Sequence, residues 1–171
     1  MTKQADFVQM QVAILTVSDT RDAETDTSGQ YLAEQVLAAG HKLAGREIVI
    51  DDVYLMRAQV SLWIADPQVH TIISTGGTGF TGRDSTPEAL KPLFDKEIDG
   101  FGELFRQLSY EDIGTSTVQS RALGGMANKT VIFCLPGSTG ACRTGWEGIL
   151  KEQLNSDHRP CNFVSHTDAG K

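Results

Sequence analysis

The segment STGGTGFTGRDSTPEAL, which begins at Ser74, holds the densest set of groups in the chain that chemistry can use. Gly76, Gly77 and Gly79 can take positive φ and bring backbone N–H groups close to an anion, and Thr78 adds a hydroxyl donor, so the segment reads as a cradle for phosphate. Glycines in this pattern also serve a tight strand-to-helix turn with no ligand at all. Asp84 separates the two readings, because a carboxylate beside phosphates is badly placed unless a divalent cation bridges them. A second acidic feature, Asp51 followed by Asp52, comes directly after an apolar run. Two carboxylates from adjacent loops can hold Mg²⁺ together with triphosphate oxygens, since that hard ion prefers oxygen ligands and neutralises the charge that builds in phosphoryl or adenylyl transfer. Taken singly, each aspartate serves more often as a helix cap than as a ligand.

Two further turns carry small polar groups. In LPGSTGAC, Pro136 and Gly137 turn the chain, and Ser138 with the amides of Thr139 and Gly140 can cap a helix, receive an anion, or do both. TVSD, from Thr16 to Asp19, and DTSG, from Asp26 to Gly29, place hydroxyls where they can bond a polar heterocycle or its phosphate, though such residues also favour turns. His41, His70, His158 and His166 form no i, i+4 pair, which argues against a histidine metal site. There is no G-x-S-x-G elbow and no Walker lysine motif, which removes the commonest hydrolase and P-loop readings. A nucleotide would be held mainly by backbone groups and metal.

The elements that must position these turns are legible from periodicity. Gln11 to Ser18 is a short β-branched run with the continuous apolar character of a strand buried on both faces. A loop from Asp19 to Ser28 ends in a helix cap, and YLAEQVLAAG follows with helical spacing and a terminating Gly40. REIVI from Arg46 reads as a strand, YLMRAQVSLWIA from Tyr54 as a helix, and HTIIST from His70 as another buried strand. Further helices are expected at STPEALKPLF, opened by Ser85 or Thr86 with Pro87 at its first position, at GFGELFRQLSYEDI from Gly100, and from Cys142 to about Leu154. A short helix and an irregular strand are expected between Gly114 and Asn128, and KTVIFCL from Lys129 adds a core strand. The result is a single α/β domain: a three-layer sandwich with a mostly parallel sheet and helices on both faces, its core spanning about 10–155 and residues 156–171 forming a polar tail or subunit contact. Right-handed crossovers would put the strand C-termini on one edge, where open α/β sheets bind ligands.

Bulk properties narrow the function. With 171 residues the chain is long enough for one substantial core and short for two domains. Its 40% hydrophobic and 22% charged residues are those of a folded globular protein. A net charge of -7 leaves no basic surplus for broad nucleic-acid binding, while backbone amides can still hold a small anion locally. Cys134, Cys142 and Cys161 are odd in number and form no C-x-x-C pair, which fits a reducing cytoplasm. The opening MTKQADFVQMQ lacks the pattern of a signal peptide, and no apolar run is long enough to span a bilayer, so no membrane association is expected.

The segments TVSD, DTSG, STGGTG with RDSTPEA, GFGELFR, TSTVQSRA and LPGS, in this order, resemble the MoaB/Mog family of molybdenum cofactor biosynthesis, and RAQVSLWIA, GACRTGWEGI and RPCNF are most similar to its bacterial MoaB branch. The resemblance covers nearly the whole chain. It implies a molybdopterin-binding α/β fold assembled as a homotrimer or as a hexamer built from two trimers. It also implies adenylyl transfer from ATP to the terminal phosphate of molybdopterin, with Mg²⁺ and release of pyrophosphate, ahead of a molybdate-inserting enzyme. Carried onto this sequence, the essential, metal-holding carboxylates would be Asp51, or its neighbour Asp52, and Asp84. Gly76, Gly77, Thr78 and Gly79 would hold the nucleotide phosphates, Pro136, Gly137 and Ser138 would line the nucleotide pocket, and Thr16, Ser18 and Ser28 would lie toward the pterin. Some members of the MoaB branch bind pterin and nucleotide without transfer, which keeps a carrier as the alternative and an oligomeric scaffold as a third.

Overall fold

Seven residues from Gln11 to Val17 (β1) alternate between two cores, which explains why the run is apolar without interruption. Val12 and Ile14 pack into one cluster, and Ala13, Leu15 and Val17 into the other. The computed structural model of the protein describes residues 7–171, so the leader reading that rests on residues 1–6 lies outside the described residues. Beside β1 lie β2 (Lys42–Val49) and β3 (Thr71–Thr75), both parallel to it, and β6 (Thr130–Leu135) is parallel to β3. The sheet is completed by β5 (Leu123–Ala127), antiparallel to β6, and by a two-residue edge strand β4 (Lys96–Glu97), antiparallel to β5, giving the order β2-β1-β3-β6-β5-β4.

On one face α1 (Thr27–Ala38), α4 (Asp99–Ile113) and α5 (Thr139–Gly145) supply Leu32, Val36, Phe101, Phe105 and Cys142 to a core that also holds Ile73, Phe133 and Trp146. On the other, α2 (Val53–Ala65) and α3 (Thr86–Leu90) supply Met56, Val60, Trp63, Ala89 and Leu90 against Ala13, Ile72 and Ile132. The three-layer sandwich expected from the sequence is therefore observed. After α5 the chain passes through a π-helical turn (Trp146–Leu150) into α6 (Lys151–Gln153), so the single helix expected from Cys142 is longer at its start and interrupted inside. No helix among the described residues is long and apolar enough to cross a membrane.

Three local differences from the sequence reading have clear causes. Helix α1 begins at Thr27, about one turn before Tyr31, because the buried Asp26 accepts the Gly29 N–H at 2.9 Å and caps it. Strand β4 escapes notice because two residues carry no periodicity. The chain after residue 155 is more than tail: Val164 is buried in the first core, and the Phe163 ring meets that of Phe133 edge-on at 5.8 Å. The core thus extends past 155, and apolar burial accounts for that part of the segment.

Candidate active site

The strand order reverses between β1 and β3, since the chain leaves β1 to one side to form β2 and returns on the other side as β3. Ligands of open α/β sheets bind in the crevice outside such a switch point. Here the loops after β1, β3 and β6 surround a cavity of about 590 Å³, within the ordinary range for small-molecule sites. Thr16, Ser18, Gly76, Gly77, Thr78, Gly79, Asp84, Pro136, Gly137 and Ser138 all line it. Residues from three separate turns, read as candidates from the sequence, are brought together at one rim.

Gly76 is wedged between strand ends. Its N–H donates to the Leu135 carbonyl at 2.9 Å, its φ is +103°, and a Cβ there would stand 2.1 Å from the Val17 carbonyl oxygen. Gly77, at φ +70°, passes so close to Asp51 that a Cβ would lie 2.8 Å from its Oδ2. Glycine is needed at both positions for backbone conformation and close approach together. The spacing Gly77-Thr78-Gly79-Phe80-Thr81-Gly82 also spells G-x-G-x-x-G, but it is no dinucleotide fingerprint: α3 opens only at Thr86, and Gly82 touches nothing that its missing side chain would meet.

The two adjacent aspartates after β2 divide. Asp52 caps α2, accepting the N–H groups of Tyr54 and Leu55 at 2.9 Å each. Asp51 is 8% exposed and accepts the Ser85 N–H at 3.1 Å as well as the Ser85 hydroxyl. Burial raises the Asp51 pKa above its ordinary value; the Ser85 bonds oppose that shift, and the charges of Asp84 and Asp19 add to it. Asp84 accepts the Thr81 N–H at 2.8 Å and the Thr81 hydroxyl at 2.7 Å. Asp19 takes a two-pronged pair from Arg83, Nε at 2.9 Å and Nη2 at 2.8 Å, and accepts the Asp51 N–H at 3.0 Å; these bonds, the Arg83 one first, bring its pKa down to about 2. Asp51 and Asp84 therefore share one acidic corner and repel each other there, while Arg83 is engaged with Asp19.

Among the described residues no group of three or more His, Cys, Asp or Glu side chains is arranged to hold an ion. Mg²⁺ commonly takes one or two carboxylates, with water and phosphate oxygens completing its shell, and Asp51 and Asp84 could supply them.

Several hydroxyls named from the sequence support the cavity instead of facing it. Thr16 lines the wall, but its Oγ1 donates inward to Asp26 at 2.8 Å. Asp26 also receives Arg46 at 3.0 Å, which satisfies its buried charge. Ser18 Oγ accepts the N–H groups of Thr20 and Arg21. Ser28 lies behind the wall, 1% exposed, and donates to the Gly137 carbonyl at 2.7 Å, so it shapes the β6 turn. Ser138 caps α5 by accepting the Ala141 N–H at 3.1 Å.

No sequence motif marks the opposite wall. Phe105, Ser109 and Asp112 of α4 line it, as do Ser116 and Gln119 of the 3-10 turn at Gly114–Gln119 and Thr144 of α5. The available signal was the i, i+4, i+7 spacing of the first three, which sets small polar groups on the face of α4 that also carries core phenylalanines.

A family model described as "Probable molybdopterin binding domain" matches residues 13–156. Over 161 residues the chain is 56% identical to molybdenum cofactor biosynthesis protein B of Escherichia coli strain K12, a match spanning 94% of this chain and 95% of the relative. A crystal structure of a molybdenum cofactor biosynthesis protein B superposes with a TM-score of 0.83 at 46% identity, over 85% of this chain and 91% of the other. That of the tungsten cofactor synthesizing protein MoaB from Pyrococcus furiosus does so with a TM-score of 0.73 at 38% identity, over 84% and 92% respectively. Matches of this extent cover nearly the whole chain, and it belongs to the MoaB/Mog family of molybdenum cofactor biosynthesis proteins.

Proposed function

We propose that the cleft binds molybdopterin together with Mg-ATP and that the protein transfers AMP between them. An oxygen of the molybdopterin terminal phosphate attacks the α-phosphorus of ATP, the bond from that phosphorus to the β-phosphate bridging oxygen breaks, and pyrophosphate leaves. No covalent enzyme intermediate is needed. Positioning and charge neutralisation supply the rate. The observation that carries the reading is that Asp84 lines the cavity with the glycine loop while Asp51, outside the lining itself, lies against that loop at Gly77.

In this reading the amides of Gly76, Gly77, Thr78 and Gly79 hold the nucleotide phosphates, and Asp51 and Asp84 hold the Mg²⁺ that accompanies ATP, whose charge offsets that of the phosphates. Pro136, Gly137 and Ser138 line the nucleotide side. Thr16 and Ser18 lie toward the pterin, with Ser28 acting through the Gly137 carbonyl. The protein works as a cytoplasmic homotrimer or hexamer and passes its product to a molybdate-inserting enzyme.

Incubating the pure protein with molybdopterin and Mg-ATP and separating the products tests this directly. Adenylylated molybdopterin and pyrophosphate in equal amounts are expected. Tight binding of both ligands without product would instead make the protein a carrier, the behaviour that the branch resemblance keeps in play, and failure to bind either would reject the site.

A further inference from the structure

The segment TSTVQSRA reaches the cleft, yet its arginine points at the back of the glycine loop. The backbone N–H of Arg121 donates to the Thr78 carbonyl at 3.0 Å, its Nε to the Gly79 carbonyl at 2.9 Å, and its Nη2 to the Asp84 carbonyl at 2.9 Å. The remaining nitrogen, Nη1, pairs with the Glu88 carboxylate, and the guanidinium carbon lies 5.1 Å from the centre of the Phe80 ring. One residue, two positions before β5, thus touches the loop at Thr78, Gly79 and Asp84 and the helix that follows it.

We propose that Arg121 is the positioning residue of the phosphate loop, an inference that rests on the reading of Gly76–Gly79 as the triphosphate cradle. A trans peptide is planar with its N–H opposite its carbonyl. Drawing the carbonyls of Thr78 and Gly79 toward Arg121 therefore turns the N–H groups of Gly79 and Phe80 the other way, and it keeps those carbonyl dipoles from opposing an anion, as an amide nest requires. The grip on the Asp84 carbonyl sets the backbone from which that carboxylate projects.

Other fastenings act elsewhere or more weakly: Asp51 holds the end of the loop at Ser85, the Arg83–Asp19 pair has side chains 63% and 36% exposed, where water competes, and the Thr81–Asp84 bonds lie within the loop itself. Arg121, 25% exposed in its side chain, ties the loop to the body of the sheet. A planar fork serves three separated acceptors in a way that a single ammonium does not.

The test uses Arg121→Lys and Arg121→Ala in the full chain, with Mg-ATP and molybdopterin titrated separately and amide hydrogen exchange followed over residues 78–84. Arg121→Lys is expected to raise the Mg-ATP Kd about tenfold, the loss of one charged hydrogen bond, to leave the molybdopterin Kd within about twofold, and to accelerate exchange over 78–84. Arg121→Ala should do more and recover part of its Mg-ATP affinity when methylguanidinium is added. Unchanged Mg-ATP affinity in Arg121→Lys, or unchanged exchange over 78–84, would overturn the assignment. Accelerated exchange in the variants of a protein whose wild type binds no Mg-ATP would leave Arg121 as the loop's brace and reject the functional reading.

Discussion

Asp51 and Asp52 are neighbours in the chain, yet Asp52 gives its carboxylate to the first amides of α2 whereas Asp51 turns toward Ser85 and the glycine loop. Asp51→Asn is accordingly expected to lower adenylyl transfer by about a hundredfold, the scale of losing one aligned electrostatic group, while molybdopterin binding stays within about twofold. Asp52→Ala should leave turnover nearly intact and cost about 1 kcal/mol of stability in urea unfolding, as a lost helix cap does. Equal kinetic effects at the two positions would defeat the division.

The same residue gives a pH prediction. Asp51 ionises less readily in the fold than in the unfolded chain, so its contribution to stability is full below the ordinary carboxylate value of 3.8 and is lost as pH rises through the raised one. Without ligand, Asp51→Asn should therefore melt no lower than wild type at neutral pH, with the difference closing in acid. A clearly lower melting temperature at neutral pH would show that the charge stabilises the fold.

At the scale of elements, the site depends on how tightly the turn after β3 is drawn between its neighbours. Gly76→Ala would bring a methyl group against the Val17 carbonyl at a φ that side chains rarely adopt. It should cost about 2 kcal/mol or more in unfolding free energy and abolish Mg-ATP binding, both measurable on one preparation. Turns of this kind were legible because glycine, proline and hydroxyl residues sit where strand periodicity stops. The α4 wall was not, because the apolar face of an amphipathic helix looks the same whether its small polar residues meet core or cavity. The early start of α1 was hidden for a related reason: Asp26 could be read as a loop residue until Thr16 and Arg46, distant in sequence, were seen to satisfy its charge.

For the molecule as a whole, burial separates the three cysteines. Cys134 lies in the sheet and Cys142 under the cleft, their thiols pushed up to about 12 and about 11 chiefly by burial, while Cys161 is exposed in the C-terminal segment. Thiolate is the reactive form. A thiol-specific reagent should therefore modify one cysteine per native chain quickly and all three only after denaturation; fast reaction of a second would mean that the core opens readily around α5. The closure of the first core by Phe163 and Val164 belongs to this scale as well, since removing the last residues would uncover Phe133.

The order of the helices and of every strand but β4, the mostly parallel character of the sheet and the identity of the three cleft turns were determined by the sequence itself, because hydrophobic period and turn chemistry are local properties written in consecutive residues. Tertiary structure alone decided which of two adjacent aspartates meets the glycine loop, which hydroxyls face the cavity, what closes its far wall and how Arg121 holds the loop from behind. Those outcomes depend on the approach of groups tens of residues apart. Such an approach exists only once both faces of the sheet are covered and the chain ends of β1, β3 and β6 lie side by side.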